Sequence, residues 1–212
     1  MIKAVIFDMG GVIVNLDLER CIRSFKEKAG CADIERYLDA FHQKGFIGEM
    51  EEGLLSEEEF YHKCRQHCRP GTPNETIAEC FSDLITGLNE ETVSIIRELS
   101  RRGYSLYVLS NNNPISARVF SSMKDPATGR PMPDYFQKFF FSFEMRMLKP
   151  MPGFFMKVIK EIGCRPEEAL FIDDSEKNAA VAEKLGIRSI LYKSGTLAGQ
   201  IYRLTENLSL SH

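Results

Sequence analysis

Four short stretches of this chain carry side chains that could do chemistry together. They are Asp8 with Gly10 and Gly11, Ser110-Asn111, Lys149, and Asp173-Asp174. Three carboxylates within a few ångströms repel one another, so they gather only if some are protonated or a cation sits among them. Hard oxygen ligands suit Mg²⁺. Carboxylates, a divalent cation, a lysine and a serine are together the parts needed to hold and attack a phosphoryl group. Taken singly each stretch has an ordinary reading. Asp8 ends a strand, Asp174 opens a helix, Ser110-Asn111 is a loop, and Lys149 is a solvated side chain. Only convergence in space gives them a joint function.

The elements around them predict that convergence. Lys3-Ala-Val-Ile-Phe7 is a short apolar run that ends at Asp8. It reads as a strand buried on both faces, followed by a glycine turn. Tyr104 to Leu109 before Ser110, Ala169 to Ile172 before Asp173, and Ser189 to Tyr192 read the same way, with Phe139 to Phe143 as a fifth. Helical patterns lie between them. Asn89 caps one whose apolar stripe is Val93, Ile96 and Leu99, stopped by Gly103. Phe155, Val158, Ile159 and Ile162 mark another, stopped by Gly163. Ser175 caps a third running to Gly186. Strands alternating with helices predict an α/β fold, a Rossmann-like doubly wound parallel sheet. In such a sheet ligands bind at the carboxyl ends of the strands, where the candidate residues lie.

Residues 16–88 break the alternation. Leu18, Cys21, Ile22, Phe25 and Ala29 form one helical stripe, Ser56 with Glu59 is a capping box, and Asn74 caps a further helix. With no strand pattern, this reads as a small all-helical cap subdomain, inserted into a core made of 1–15 and 89–212. The stretch from Phe41 to Glu52, with His42, Lys44, Phe46 and Glu49, is expected to be a loop that contacts substrate. Ser121 to Asp134, with three prolines, reads as a long surface loop. His62, Cys64, His67 and Cys68 have a metal-like look, but small core cysteines on a helix are commoner than a zinc site. Glu57-Glu58-Glu59 reads as the acidic first turn of a helix.

Composition excludes several classes. The 212 residues are 43% hydrophobic and 27% charged, with a formal net charge of −3, which argues against a disordered chain and against nucleic acid as a partner. No run approaches the roughly 18 apolar residues of a membrane span. Six scattered cysteines in a chain of this size are expected as reduced thiols, in keeping with a cytoplasmic location.

Four segments, Phe7-Asp-Met-Gly-Gly-Val-Ile13, Leu109-Ser-Asn-Asn112, Leu148-Lys-Pro150 and Phe171-Ile-Asp-Asp-Ser175, resemble in order the four motifs of the haloacid dehalogenase-like hydrolase superfamily. The resemblance covers essentially the whole chain, and the helical insertion stands where that family places one type of cap. It implies a Mg²⁺-dependent phosphatase acting on a small phosphorylated metabolite. Asp8 would be the nucleophile. Asp8, the Gly10 carbonyl and Asp174 would hold the metal, with Asp173 helping directly or through water. Ser110 and Lys149 would bind the transferring phosphoryl group, with a further hydrogen bond from Asn111.

One departure stands out. Most phosphatases of this superfamily carry a second aspartate two residues after the nucleophile, as general acid and base, and here that position is Gly10. Such assistance is typically worth about 10²–10⁴-fold. The chain therefore resembles an Asp-x-Gly phosphatase branch that includes sugar-1-phosphate phosphatases. A metal-independent 2-haloacid dehalogenase and a member that only binds are the other readings, and the pair Asp173-Asp174 favours the phosphatase. Asp17, just past the turn, is a candidate replacement acid. Without a replacement, the rate is expected to fall steeply as the leaving group becomes more basic.

Overall fold

In the computed structural model, residues 2–39 and 43–204 are described, the last three as backbone only. Five parallel strands make the central sheet: β1 (Ala4–Phe7), β4 (Ser105–Ser110), β5 (Lys138–Phe141), β6 (Ala169–Asp173) and β7 (Arg188–Leu191). Their order is β5-β4-β1-β6-β7. All five strands expected from the apolar runs are present.

The side-chain alternation shows why helices cover both faces. Val5, Phe7, Leu106, Val108, Leu170 and Ile172 point into one hydrophobic cluster, shared with Val93, Ile96 and Leu99 of α5 (Glu90–Arg101). The residues between them, Ala4, Ile6, Tyr107, Leu109, Ala169 and Phe171, point into another, shared with Phe154, Phe155, Val158 and Ile159 of α8 (Pro152–Ile162). A strand that is apolar at every position has two faces to bury, and a single layer of helices could cover only one. Each large side chain so buried contributes about 1.5–3 kcal/mol.

Several helix ends follow the expected signals. Asn89 accepts the Thr92 N–H to open α5, and Gly163 closes α8 in the left-handed conformation at φ 75°. Two do not. Pro73, not Asn74, occupies the N-cap of α4 (Asn74–Ser82), and the Asn74 side chain instead accepts from Arg65. Ser175 stands at the N-cap of α9 (Glu176–Lys184) without a capping bond of its own.

The insertion is mostly helical, as expected. It comprises α1 (Leu18–Ser24) with a π-helical turn Phe25–Ala29, α2 (Gly45–Glu51), α3 (Glu57–Arg65) and α4. Its buried residues, among them Phe25, Phe46, Phe60 and Phe81, form their own cluster with Ile115 from α6 (Pro114–Ser121). It is not strand-free. Ile85–Leu88 is β3, paired antiparallel with β2 (Val14–Leu16) into a two-stranded ribbon where the insertion leaves and rejoins the sheet. Four residues with a central glycine are too short to show an alternation. Ser56 and Glu59 do form the reciprocal capping box that opens α3. Glu57 does more than begin a helix: it takes two hydrogen bonds from Arg118 of α6, at 2.7 and 2.6 Å.

The excursion 121–134 is anchored. Asp125 is fully buried, receives Nε and Nη2 of Arg97 at 2.9 Å each, and accepts the Tyr135 hydroxyl at 2.7 Å. The six cysteines are free. His67 uses both ring nitrogens on Asp33 and Tyr37, and His62 is exposed. Among the described residues, the single group of potential ligands at metal-site spacing is the aspartate trio Asp8, Asp173 and Asp174. No helix among them is long and apolar enough to cross a membrane.

Candidate active site

Strand register brings the candidate residues together. Phe7 lies level with Val108 on one side and Ile172 on the other. The chain positions that follow, Asp8, Leu109-Ser110 and Asp173, therefore leave the sheet at one level of its carboxyl edge. Asp8 keeps the ladder for one more bond, donating its N–H to Ile172 O at 2.8 Å. The chain then turns back through Gly10 and Gly11. Gly11 has φ +70°, and a Cβ there would lie 2.1 Å from Asp174 Oδ2, so only glycine lets the turn and the Asp174 carboxylate share this space.

Lys149 is the hub. It is 1% exposed. Its Nζ lies 2.9 Å from Asp8 Oδ1 and 2.7 Å from Asp173 Oδ2, and 5.5 Å from the centre of the Phe171 ring. Its backbone is held as firmly. Lys149 N donates to Asn111 Oδ1 at 2.8 Å, and Asn111 Nδ2 donates to Lys149 O at 2.9 Å. Asn111, expected to touch the phosphoryl group, thus commits both ends of its amide to placing the lysine.

Asp173 is buried among donors as well. Its Oδ1 accepts from Ser175 N at 2.8 Å, and Asn178 Nδ2 reaches both of its oxygens at 3.0 and 3.1 Å. Asp8 Oδ1 also accepts the Met9 N–H, at 2.6 Å. Ser110, 2% exposed, closes the edge on the β4 side.

Ligand oxygens of Asp8, Asp173 and Asp174 lie within 4.8 Å of one another. Burial pushes the Asp8 carboxyl up, Lys149 pulls it down, and the charges of Asp173 and Asp174 push it up again. Asp174 is raised too, by burial and then by Asp173. Burial works against the Lys149 charge, yet Asp173 and Asp8 outweigh it and hold its pKa above the usual lysine value. One ammonium facing three carboxylates leaves negative charge uncompensated, and the donors are all hard oxygens. This set fits a small divalent cation.

Asp8, Gly10, Ser110, Asn111, Lys149 and Asp174 line a cavity of about 100 Å³, and Asp173 lies behind them. The cavity's other wall contains Leu16, Asn113, Ser116 and Asn178, which the sequence did not single out, and Gln43 and Glu51, which fall within the stretch from Phe41 to Glu52 expected to contact substrate. Asn178 had one available signal: it lies five residues beyond Asp173, in the first turn of a helix that starts at the strand end. The expected substrate loop from Phe41 to Glu52 is only partly seen, since Phe41 and His42 lie outside the described residues. From Gly45 on it is helix rather than loop, with Phe46, Ile47 and Met50 buried. Lys44, Phe46 and Glu49 do not line the cavity. Asp17 does not either: its Oδ1 accepts the Arg20 N–H at 2.8 Å and opens α1.

Residues 2–186 match the model of the haloacid dehalogenase-like hydrolases. The chain belongs to this family. It is 33% identical over 195 residues to D-ribitol-5-phosphate phosphatase of Bacteroides thetaiotaomicron, covering 92% of this chain and 94% of the relative. A crystal structure of a HAD family enzyme from the same organism, in complex with magnesium and inorganic phosphate, superposes with a TM-score of 0.83 at 34% identity, covering 92% of this chain and 96% of that one. A HAD-like hydrolase of Porphyromonas gingivalis gives 0.84 at 33% identity, covering 98% and 99%. Membership in a hydrolase family, over nearly the whole chain, makes the carboxyl edge of the sheet the place to look for catalysis.

Proposed function

We propose that this hydrolase is a Mg²⁺-dependent phosphatase for a small polyhydroxylated phosphate ester, a polyol or sugar phosphate, working through Asp8. The observation that carries the reading is the position of Lys149 Nζ, 2.9 Å from Asp8 and 2.7 Å from Asp173 inside the aspartate trio. A charge held there lies where a transferring phosphoryl group would gather negative charge.

In this reading an Asp8 carboxylate oxygen attacks phosphorus, the bond to the leaving oxygen breaks, and an aspartyl-phosphate forms. Water then attacks the same phosphorus, and the Asp8–phosphorus bond breaks. Lys149 and Ser110 bind the phosphoryl oxygens and keep them in line with Asp8. Asp8, Asp174 and the Gly10 carbonyl would hold the metal, with Asp173 assisting directly or through water, and Asp173 positions Lys149. Bound Mg²⁺ would neutralise phosphoryl charge and let the anionic ester approach an anionic nucleophile. Asn111 acts by placing Lys149.

The insertion, residues 16–88, serves as a cap that excludes water and reads the leaving group. Gln43 and Leu84 reach the cavity from it, opposite Asn113 and Ser116 of the core. The similarity to a ribitol-phosphate phosphatase across almost the full length of both chains supports a polyol or sugar phosphate as the substrate class. The dehalogenase reading, in which no metal takes part, leaves the gathering of three carboxylates without a purpose.

The test is a panel of polyol and sugar phosphates, with p-nitrophenyl phosphate as the activated ester, assayed with Mg²⁺ and with a chelator. Phosphate release should require Mg²⁺ and should vanish in Asp8→Asn. Turnover that survives either change ends the proposal.

A further inference from the structure

The Asp-x-Gly turn leaves open which group protonates the departing alcohol. The position that would carry the acid bears no side chain, and a Cβ built at Gly10 meets Leu16 Cδ1 at 3.0 Å, so Leu16 must give way before one fits. Asp17 is committed to its helix. Among the described residues lining the cavity, those with a titratable side chain are Asp8, Glu51, Lys149 and Asp174. Asp8 is the nucleophile of the proposed reaction. Asp174 belongs to the metal end. Lys149 is locked between Asp8 and Asp173 and is held charged by them.

Glu51 remains. It is the last residue of α2, partly buried, and it faces the cavity from the insertion side. From the core side Asn113 lines the same cavity, with its Oδ1 taken by the N–H groups of Ile115 and Ser116 at 3.1 and 3.0 Å. Gly48 adds to the placement, because a Cβ there would lie 2.6 Å from Gln43 O, so its absence lets α2 pack close to the cavity wall.

Resting on the phosphatase reading above, we propose that Glu51 is the general acid and base of this enzyme, brought to the reacting centre by the insertion instead of by the nucleophile turn. As the Asp8–phosphorus bond forms and the ester P–O bond breaks, the Glu51 proton passes to the leaving oxygen and the alcohol departs neutral. In the second step the Glu51 carboxylate takes a proton from the attacking water while oxygen bonds to phosphorus and Asp8 is released. Ester and water become alcohol and phosphate, and Glu51 ends as it began. Its surroundings suit the first step: burial, with a smaller push from Asp8, raises the carboxyl to about 8 against the pull of Asn113.

The experiment compares p-nitrophenyl phosphate, whose leaving group needs no proton, with the alkyl phosphate of the panel that the native protein hydrolyses fastest. Glu51→Gln keeps the shape and removes the proton. It should lower kcat/KM for the alkyl ester by about 10²–10⁴-fold and leave kcat/KM for the aryl ester within a few-fold, because that ratio reports only the steps up to departure of the leaving group. By contrast, kcat falls for both esters, since hydrolysis of the aspartyl-phosphate also uses the Glu51 carboxylate. The retained kcat/KM on the aryl ester also shows that the variant is folded. Equal loss of kcat/KM on both esters, no loss on either, or a rise in KM at unchanged kcat overturns the proposal. So does a native protein that hydrolyses no alkyl phosphate, or one whose rate falls steeply with leaving-group basicity while chemistry limits turnover. Asp8→Asn separates the two levels. If it abolishes both activities while Glu51→Gln does not discriminate, the phosphatase reading stands and this assignment falls.

Discussion

Asn111 and Lys149 exchange two backbone-to-side-chain hydrogen bonds, at 2.8 and 2.9 Å, between the end of β4 and the loop that carries the lysine. The pair is a clamp. Nζ of Lys149 can sit between Asp8 and Asp173 only if its own backbone is fixed, and no regular element fixes it. Asn111→Ala should therefore act through position rather than through binding. Misplacement by about 1 Å can cost 10²-fold, so kcat should fall by about 10–100-fold with KM little changed. Steady-state kinetics on p-nitrophenyl phosphate decides it: a rise in KM at constant kcat would mean that Asn111 contacts the phosphoryl group after all.

Gly11 and Asp174 occupy one space from opposite sides. Gly11→Ala places a methyl group 2.1 Å from the present position of Asp174 Oδ2 and asks alanine to adopt φ +70°. The backbone term alone costs roughly 1–2 kcal/mol, and the carboxylate must move. The urea midpoint should drop accordingly, and the Mg²⁺ concentration giving half-maximal activity should rise at least tenfold. If the midpoint drops and the Mg²⁺ dependence stays put, Asp174 is not a ligand.

The sheet and its carboxyl edge were legible because local pattern and chemistry coincide there. β1 and the runs 106–109 of β4 and 169–172 of β6 are hydrophobic throughout and give way to polar residues, and a parallel sheet leaves few ways to arrange them. The far wall was legible only as a stretch: Gln43 and Glu51 fall within 41–52, but nothing marked which of its residues face the cavity or that it is helix. Glu51 lies on a helix that contains Gly45 and Gly48, two poor helix formers. What makes that helix is burial of Phe46, Ile47 and Met50 against the rest of the insertion, a tertiary effect. Leu16 looked like the start of the insertion, and only the β2–β3 ribbon turns it toward Gly10. Ser116 sits inside an ordinary helix stripe, and nothing in its neighbours marks it as a cavity residue.

Ser116 gives the next prediction. Its Oγ is buried, lines the cavity and has no hydrogen-bond partner in the protein. A hydroxyl left unmatched costs about 1–3 kcal/mol, so Ser116→Ala should be neutral or slightly stabilising. If a substrate hydroxyl supplies the missing partner, the same change should raise KM for a polyol phosphate by about 3–10-fold, the value of one hydrogen bond. The aryl ester, with no hydroxyl to offer, should be unaffected. Equal KM values for native and variant on the polyol ester would place the hydroxyl outside the substrate contact.

Asp125 tests stability rather than catalysis. The Arg97 guanidinium above all, with Tyr135 and the Ala127 N–H, holds its carboxyl well below the usual carboxylate range against the cost of burial. A group whose folded pKa is depressed stabilises the fold above its unfolded value, about 3.9, and loses that contribution as pH falls through the folded value. Asp125→Asn removes the charge and leaves Arg97 without its partner. Arg97 keeps 34% of its side chain in water, so the loss at pH 7 should be about 2–3 kcal/mol, below that for a fully buried pair. The gap between native and variant in urea unfolding should hold from pH 7 to about 5, then narrow below pH 4, where the unfolded chain takes up the Asp125 proton while the native carboxylate stays charged. A gap independent of pH would show that Asp125 anchors the 121–134 excursion by shape and neutral hydrogen bonds, with its charge contributing nothing.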